Sequence, residues 1–206
     1  MALTVNNDTA LHEAGHCIIA YLAIDLFDIK FVTTNGVLSK IQDPRSLGGL
    51  RGSLKKKSST LTFEDHDLMV LIFLAGMAAD DVNHCNGQLS EDLYDNSIFA
   101  SKMNSYKYMG DCYYSQQHIL GVLPELHIEQ RQYTINCQKL LHGLFSNPFI
   151  TQILIGLRNQ IENSPEKTLV NLEILSFLDH TELKNWRDSE WRELMASRIS
   201  EIKKVN

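Results

Sequence analysis

The chain has 206 residues, of which 44% are hydrophobic and 21% charged, and its formal net charge is -6. This composition excludes a disordered or fibrous chain, and the negative net charge argues against wholesale electrostatic binding of nucleic acid. The sequence contains no GxxxxGK(S/T) phosphate loop, so it does not predict a nucleotide-driven motor.

The N-terminal part of the chain is predicted to form one helix and a small sheet. Apolar residues recur with helical spacing over residues 10–23, and Thr9 is a suitable N-cap. Residues 30–41 have the composition of a β-hairpin, with Asn35-Gly36 at its turn. The glycine-rich residues 47–54 predict a weak edge strand.

The chain from Thr62 onward is predicted to be helical. Ser, Thr or Asn stands repeatedly before Pro or Glu, as at helix starts, and we expect Gly110-Asp111 to break a helix. The predicted fold class is therefore mainly α, with a small β-sheet near the N-terminus beside the first helix. We expect one domain over residues 1–206, with a zinc-binding catalytic part (1–110) and a C-terminal helical part (111–206).

Residues 12–16, His-Glu-Ala-Gly-His, form an HExxH motif on the first predicted helix. Positions four apart lie one turn apart on the same helix face, so His12 and His16 can bind one metal ion, for which the motif predicts Zn²⁺. Glu13 is offset around the helix and can act as the catalytic base that activates a zinc-bound water. The alternative is an ordinary helix with two surface histidines and a glutamate in a salt bridge.

A catalytic zinc ion needs a third protein ligand and an open fourth position. Acidic residues downstream of the motif are the candidates, and spacing alone does not decide among them. An acidic residue in the first turn of a helix also complements the helix dipole, which is the alternative explanation for Asp92. The candidates are Asp80, Asp81, Glu91, Asp92 and Asp95.

These segments resemble the peptidase domain of the FtsH-type ATP-dependent zinc metalloproteases. Residues 74–81, LAGMAADD, look like that family's GGRAAEE segment, and residues 87–93, GQLSEDL, look like its TGASNDL segment. The resemblance implies that Asp92 is the third zinc ligand and that residues 47–54 are the edge strand beside the cleft. It covers roughly residues 9–110 and, more loosely, the C-terminal helices.

The chain also departs from the family pattern. The ATPase domain and the membrane segments of the family are absent from this sequence, Met77 replaces an arginine, and Cys17 replaces an alanine. Asp80 and Asp81 replace paired glutamates. These departures remove neither a ligand nor the base, but they argue against a hexamer like the family's and against processive degradation of folded substrates.

We therefore expect a zinc metalloendopeptidase that hydrolyses unfolded or flexible peptides without an ATPase of its own. The substrate is expected to add as an extended strand at Leu47, Gly48, Gly49 and Leu50. A homo-oligomer, or a separate adaptor or ATPase, is the partner hypothesis. Two alternatives remain: a zinc-stabilised binding or regulatory module with little turnover, and an HExxH protease that cuts one specific partner.

The other histidines are expected to be surface or hydrogen-bonded side chains rather than ligands. The scattered cysteines lack CxxC spacing, which indicates a reducing compartment. The N-terminus lacks the features of a signal peptide, and the longest apolar run, residues 68–79, is too short to cross a bilayer. We therefore expect a cytoplasmic protein without membrane insertion. The histidines in question are His66, His84, His118, His127, His142 and His180.

Overall fold

The structure is a computed structural model that describes residues 8–36, 49–85, 94 and 109–204. The described residues are mainly helical, with a small antiparallel sheet near the N-terminus, so the predicted fold class is confirmed. The principal elements, in chain order, are α1 (Thr9–Leu22), β1 (Phe27–Thr33), β2 (Gly49–Leu54), α2 (Phe63–His84), α3 (Met109–Val122), α4 (Gln130–Phe145), α5 (Pro148–Asn163), β3 (Thr168–Val170), α6 (Asn171–Asp179), α7 (Leu183–Trp186) and α8 (Arg192–Ile202), with a π-helical turn (Arg187–Trp191) joining α7 to α8.

The sheet has the strand order β2-β1-β3, and both neighbours of β1 run antiparallel to it. Thr33 of β1 lies opposite Gly49 of β2. Among the described strands β2 pairs with β1 alone, so it is an edge strand of the described sheet, as predicted. The predicted return strand at residues 37–41 lies outside the described residues. β3 was not predicted, because its three residues lie within a region whose helix-start signals dominate the pattern.

The first two helices begin at local capping interactions. Asp8, rather than the predicted Thr9, is the N-cap of α1, and its Oδ1 accepts a hydrogen bond of 3.0 Å from the Leu11 backbone N–H. Thr62 and Asp65 form a reciprocal capping box at the start of α2. Such boxes satisfy two backbone N–H groups that the helix itself leaves without partners.

Helix α2 packs against α1, α3 and α4. The α1–α2 contact is close because Gly15 has no side chain: a Cβ there would lie 2.9 Å from the Ala75 carbonyl oxygen and 2.9 Å from the Ala79 Cβ. Almost the whole of α1 is buried as a result. The motif helix is therefore a core element, and its polar side chains point into the protein interior.

Helix α3 corrects one sequence prediction. Gly110 and Asp111 lie in its first turn rather than at a helix break. An aspartate in the first turn is favourable because the helix dipole is positive there. Helix α3 runs antiparallel to α2, since Tyr114 stacks on Phe73 and the later His118 contacts the earlier His66.

The C-terminal helices pack onto the same hydrophobic cluster as α1 and α2. Buried Arg198 of α8 makes two hydrogen bonds, of 2.9 and 2.8 Å, to Asp67 of α2, and Tyr133 of α4 donates a third of 2.7 Å. No single helix among the described residues is both long and apolar enough to cross a membrane; α4 and α5 meet these criteria only together, across a bend of 84°.

Candidate metal centre

The two motif histidines face each other in the interior. His12 and His16 lie one turn apart on α1 and are 8% and 4% exposed. Their Nε2 atoms are 3.1 Å apart. The helix spacing therefore brings two imidazoles to one buried point, as the motif predicts.

The other nitrogen of each imidazole is hydrogen-bonded to α2. His12 Nδ1 lies 3.0 Å from Asp80 Oδ2, and His16 Nδ1 lies 2.6 Å from the Ile72 carbonyl oxygen. A carboxylate and a carbonyl accept hydrogen bonds, so each Nδ1 carries a hydrogen, and in the neutral form of each imidazole Nε2 presents the lone pair. This arrangement of outer partners is typical of metal-binding histidines.

Asp111 supplies a carboxylate to the same point from the first turn of α3. Its Oδ2 lies 3.0 Å from His12 Nε2 and 3.5 Å from His16 Nε2. Ligand atoms about 2.0–2.1 Å from a tetrahedral metal ion lie about 3.3 Å from one another. The separations among His12, His16 and Asp111 match this geometry, and the three side chains form a group that could hold a metal ion.

Gly76 of α2 leaves room for that ion. A Cβ at Gly76 would lie 2.5 Å from the Nε2 atoms of both His12 and His16. Any larger residue would therefore press on the two atoms that carry the converging lone pairs. The donor set and this open space both fit a bound metal ion.

The charges of the three side chains depend on one another. Burial lowers the pKa of His12, but the hydrogen bonds with Asp111 and Asp80 outweigh it and raise the pKa well above its ordinary value. Burial likewise lowers the pKa of His16, and the negative charge of Asp111 raises it above the ordinary value. Burial raises the pKa of Asp111, but both histidines hold it well below its usual range. The pocket therefore favours a positive charge between the imidazoles and the carboxylate, which a proton or a metal cation can supply.

Glu13 lies beside the histidines and contacts the edge strand. It is 5% exposed, and burial raises the pKa of its carboxyl group, although the two histidines and a backbone hydrogen bond from Leu50 oppose the rise. Leu50 belongs to β2, so Glu13 joins the metal-binding group to the strand that the sequence analysis assigned to substrate. Glu13 is not among the three side chains that could hold a metal ion.

A second hydrogen-bond network begins at Asp81, the residue that follows Asp80 in α2. Asp81 Oδ2 lies 3.2 Å from Nε2 of His142 on α4, and His142 Nδ1 lies 2.7 Å from the Tyr94 hydroxyl oxygen. His142 therefore takes part in a buried hydrogen-bond network. The adjacent Asp80 and Asp81 thus orient side chains on two different helices.

The structure brings together His12, Glu13 and His16 among the predicted site residues. Gly49 and Leu50 begin β2 beside them, whereas Asp92, Leu47 and Gly48 lie outside the described residues. Asp80, one candidate for the third ligand, instead binds the outer nitrogen of His12. The other candidates, Glu91 and Asp95, also lie outside the described residues.

Asp111 was missed by the sequence analysis. It lies 99 positions from His12 and was assigned to a helix break with Gly110. The available signal was its place as an acidic residue in a first helical turn. That signal is common and carries no indication of the metal group. Comparison with protein-family models and with curated proteins gives no match, so the arrangement of these side chains is what bears on function.

Proposed function

We propose that this protein is a zinc-dependent metallopeptidase. The observation that carries the proposal is the convergence of two imidazole nitrogens and one carboxylate on a buried point, with a second acidic side chain, Glu13, beside it. Two imidazoles and a carboxylate suit zinc, and three protein ligands leave the open position that a catalytic site requires. A bound zinc ion acidifies water and polarises the scissile carbonyl.

Glu13 is the proton carrier in this mechanism. It is buried beside the two motif histidines and is not one of the three side chains that could hold the metal ion, so its carboxylate can act as the general base. It takes the proton from the attacking water and returns it to the leaving amine. The hydrogen bonds of His12 to Asp80 and of His16 to Ile72 keep both imidazoles in the orientation that binds metal.

Strand β2 is the proposed binding surface for substrate. It lies at the edge of the described sheet, and Leu50 contacts the catalytic Glu13. A peptide added to this edge would run past Glu13 in an extended conformation, with backbone hydrogen bonds providing affinity. We therefore propose unfolded or flexible segments as the substrate class, because such segments can adopt the extended conformation that strand addition requires.

Replacing Glu13 with glutamine tests the peptidase assignment. Glu13→Gln should keep the zinc content of the wild-type protein and lose cleavage of unfolded casein, because the amide cannot accept the proton. Cleavage by the variant at the wild-type rate contradicts the mechanism. If the wild-type protein binds zinc but cleaves no casein, either with or without a chelator, the result would instead support the zinc-stabilised binding module.

The third ligand needs a separate measurement. The geometry favours Asp111, and the FtsH-type resemblance favours Asp92. Asp111→Asn and Asp92→Asn should be compared for zinc affinity by competition with a chelating dye. A large loss in Asp111→Asn with little change in Asp92→Asn supports Asp111, and the reverse result assigns the ligand to Asp92.

A further inference from the structure

Two histidines outside the metal centre face each other across α2 and α3. His66 of α2 and His118 of α3 are 52 positions apart, and their Nδ1 atoms lie 3.0 Å from each other. The ring centroids are 5.2 Å apart, with the planes tilted by 51°. No spacing rule along the chain connects them, so the sequence predicts two separate surface or hydrogen-bonded histidines rather than ligands.

Neighbouring residues hold both rings in place. The His118 ring stacks on Phe73 at 5.8 Å, and Phe73 stacks on Tyr114 at 5.3 Å. His66 lies against Gly121, where a Cβ would come within 2.6 Å of the imidazole. A glycine is therefore needed for His66 to take this position, and the aromatic stack fixes the plane of His118.

Both imidazoles bind a proton less readily than an exposed histidine does. Burial and the neighbouring His66 lower the pKa of His118 to about 4, and burial lowers the pKa of His66. A neutral imidazole has one nitrogen with a free lone pair, which is the form that binds transition metals. The contact between the two Nδ1 atoms is a hydrogen bond, so one Nδ1 carries a hydrogen and the other a lone pair. For both Nδ1 atoms to bind one metal ion, that hydrogen moves to Nε2 of the same ring, which leaves the imidazole neutral.

We propose that His66 and His118 form a second transition-metal site, in which both Nδ1 atoms bind one Cu²⁺, Ni²⁺ or Zn²⁺ ion and water completes the coordination. Neighbouring ligands at about 2.0 Å lie about 2.8 Å apart in a square-planar site and about 3.3 Å apart in a tetrahedral one. The observed separation of 3.0 Å lies between these values. Cu²⁺ is the tightest-binding ion, since imidazole sites follow the Irving–Williams order.

The second site shares its two helices with the metal centre. His66 and Gly76 are ten residues apart on α2, which corresponds to about 15 Å along the helix axis. Helix α3 carries both His118 and Asp111. A metal ion between His66 and His118 therefore fixes α3 against α2 and holds Asp111 toward His12 and His16.

Metal stoichiometry tests the proposal. Titration with Cu²⁺ should give two equivalents per wild-type chain, and the variant His66→Gln/His118→Gln should lose one of them. The matched control is His127→Gln, which changes an exposed histidine and should keep both equivalents. Circular dichroism of each variant verifies that it is folded. Two equivalents in folded His66→Gln/His118→Gln overturn the proposal.

A measurement on the unaltered protein keeps the test decisive if the double variant does not fold. Long-range ¹H–¹⁵N spectra report the ring nitrogens of each histidine while the wild-type protein is titrated with Zn²⁺. The Nδ1 resonances of His66 and His118 should shift together during uptake of one equivalent. Unchanged resonances of both rings after two equivalents of Zn²⁺ contradict the second site.

Discussion

Asp80 lies 3.0 Å from Nδ1 of His12, although the two residues are 68 positions apart in the chain. The carboxylate is 1% exposed, and the hydrogen bond fixes which nitrogen of His12 faces Asp111 and His16. Asp80 acts on the proposed metal through His12, so it is a positioning residue. This relationship gives the first prediction.

Asp80→Asn should weaken metal binding by about 10–100-fold, the usual effect of removing an outer partner of a ligating histidine. The neighbouring variant Asp81→Asn is the control, since Asp81 is also buried but contacts His142. Zinc affinity is measured by competition with a chelating dye. Equal losses in the two variants would show that Asp80 has no specific role at the metal.

Gly76→Ala should abolish metal binding at His12, His16 and Asp111, because its Cβ would lie 2.5 Å from both Nε2 atoms of the motif histidines. Gly143→Ala in α4 is the control: a Cβ there meets nothing within 4 Å, and alanine should stabilise the helix by about 0.5–1 kcal/mol. Metal analysis after dialysis distinguishes the two variants. Full metal content in Gly76→Ala contradicts the proposed location of the ion.

The free energy of unfolding should decrease at acid pH, in part because of Asp65. Burial raises the pKa of Asp65, but hydrogen bonds from Lys56 and from the Thr62 backbone outweigh it and lower the pKa. Such a carboxyl group stabilises the fold fully when the pH is above its pKa in the unfolded state, about 3.9. This stabilisation is lost as the pH falls through its lower pKa in the folded state.

The free energy of unfolding in urea, measured from pH 7 to pH 2, checks this expectation. Asp65→Asn should be less stable than the wild type at pH 7, with a smaller loss of stability on acidification. Asp25→Asn is the control: the Asp25 side chain is 94% exposed, so the stability of this variant should follow that of the wild type across the pH range. Identical pH slopes for Asp65→Asn and the wild type would refute the assignment.

Arg198→Met should destabilise the fold by about 3–5 kcal/mol, because it leaves the Asp67 carboxylate buried without its cationic partner. The two side chains are 7% and 0% exposed. Arg131→Met, at an exposed position of α4, should change the free energy of unfolding by about 0.5 kcal/mol or less. Thermal and urea unfolding measure both. A loss for Arg198→Met no larger than for Arg131→Met contradicts this role.

Short sequence patterns correctly predicted where helices begin when the start depends only on residues close together in the chain. Helix α2 begins with the capping box that Thr62 and Asp65 suggest, and α5 begins at Asn147-Pro148. The prediction failed at α3, where Gly110 lies inside the first turn. Packing against α2 outweighs the low helix propensity of one glycine, which costs only about 1 kcal/mol.

The sequence by itself determined that His12 and His16 share one helix face, since a spacing of four residues places side chains one turn apart. It also placed Glu13 beside them. The tertiary structure decided which residues complete the group: Asp111 as the third donor, Asp80 behind His12, and the open space at Gly76. These positions meet only because α1, α2 and α3 pack together, and helix packing depends on the whole core rather than on residue spacing along the chain.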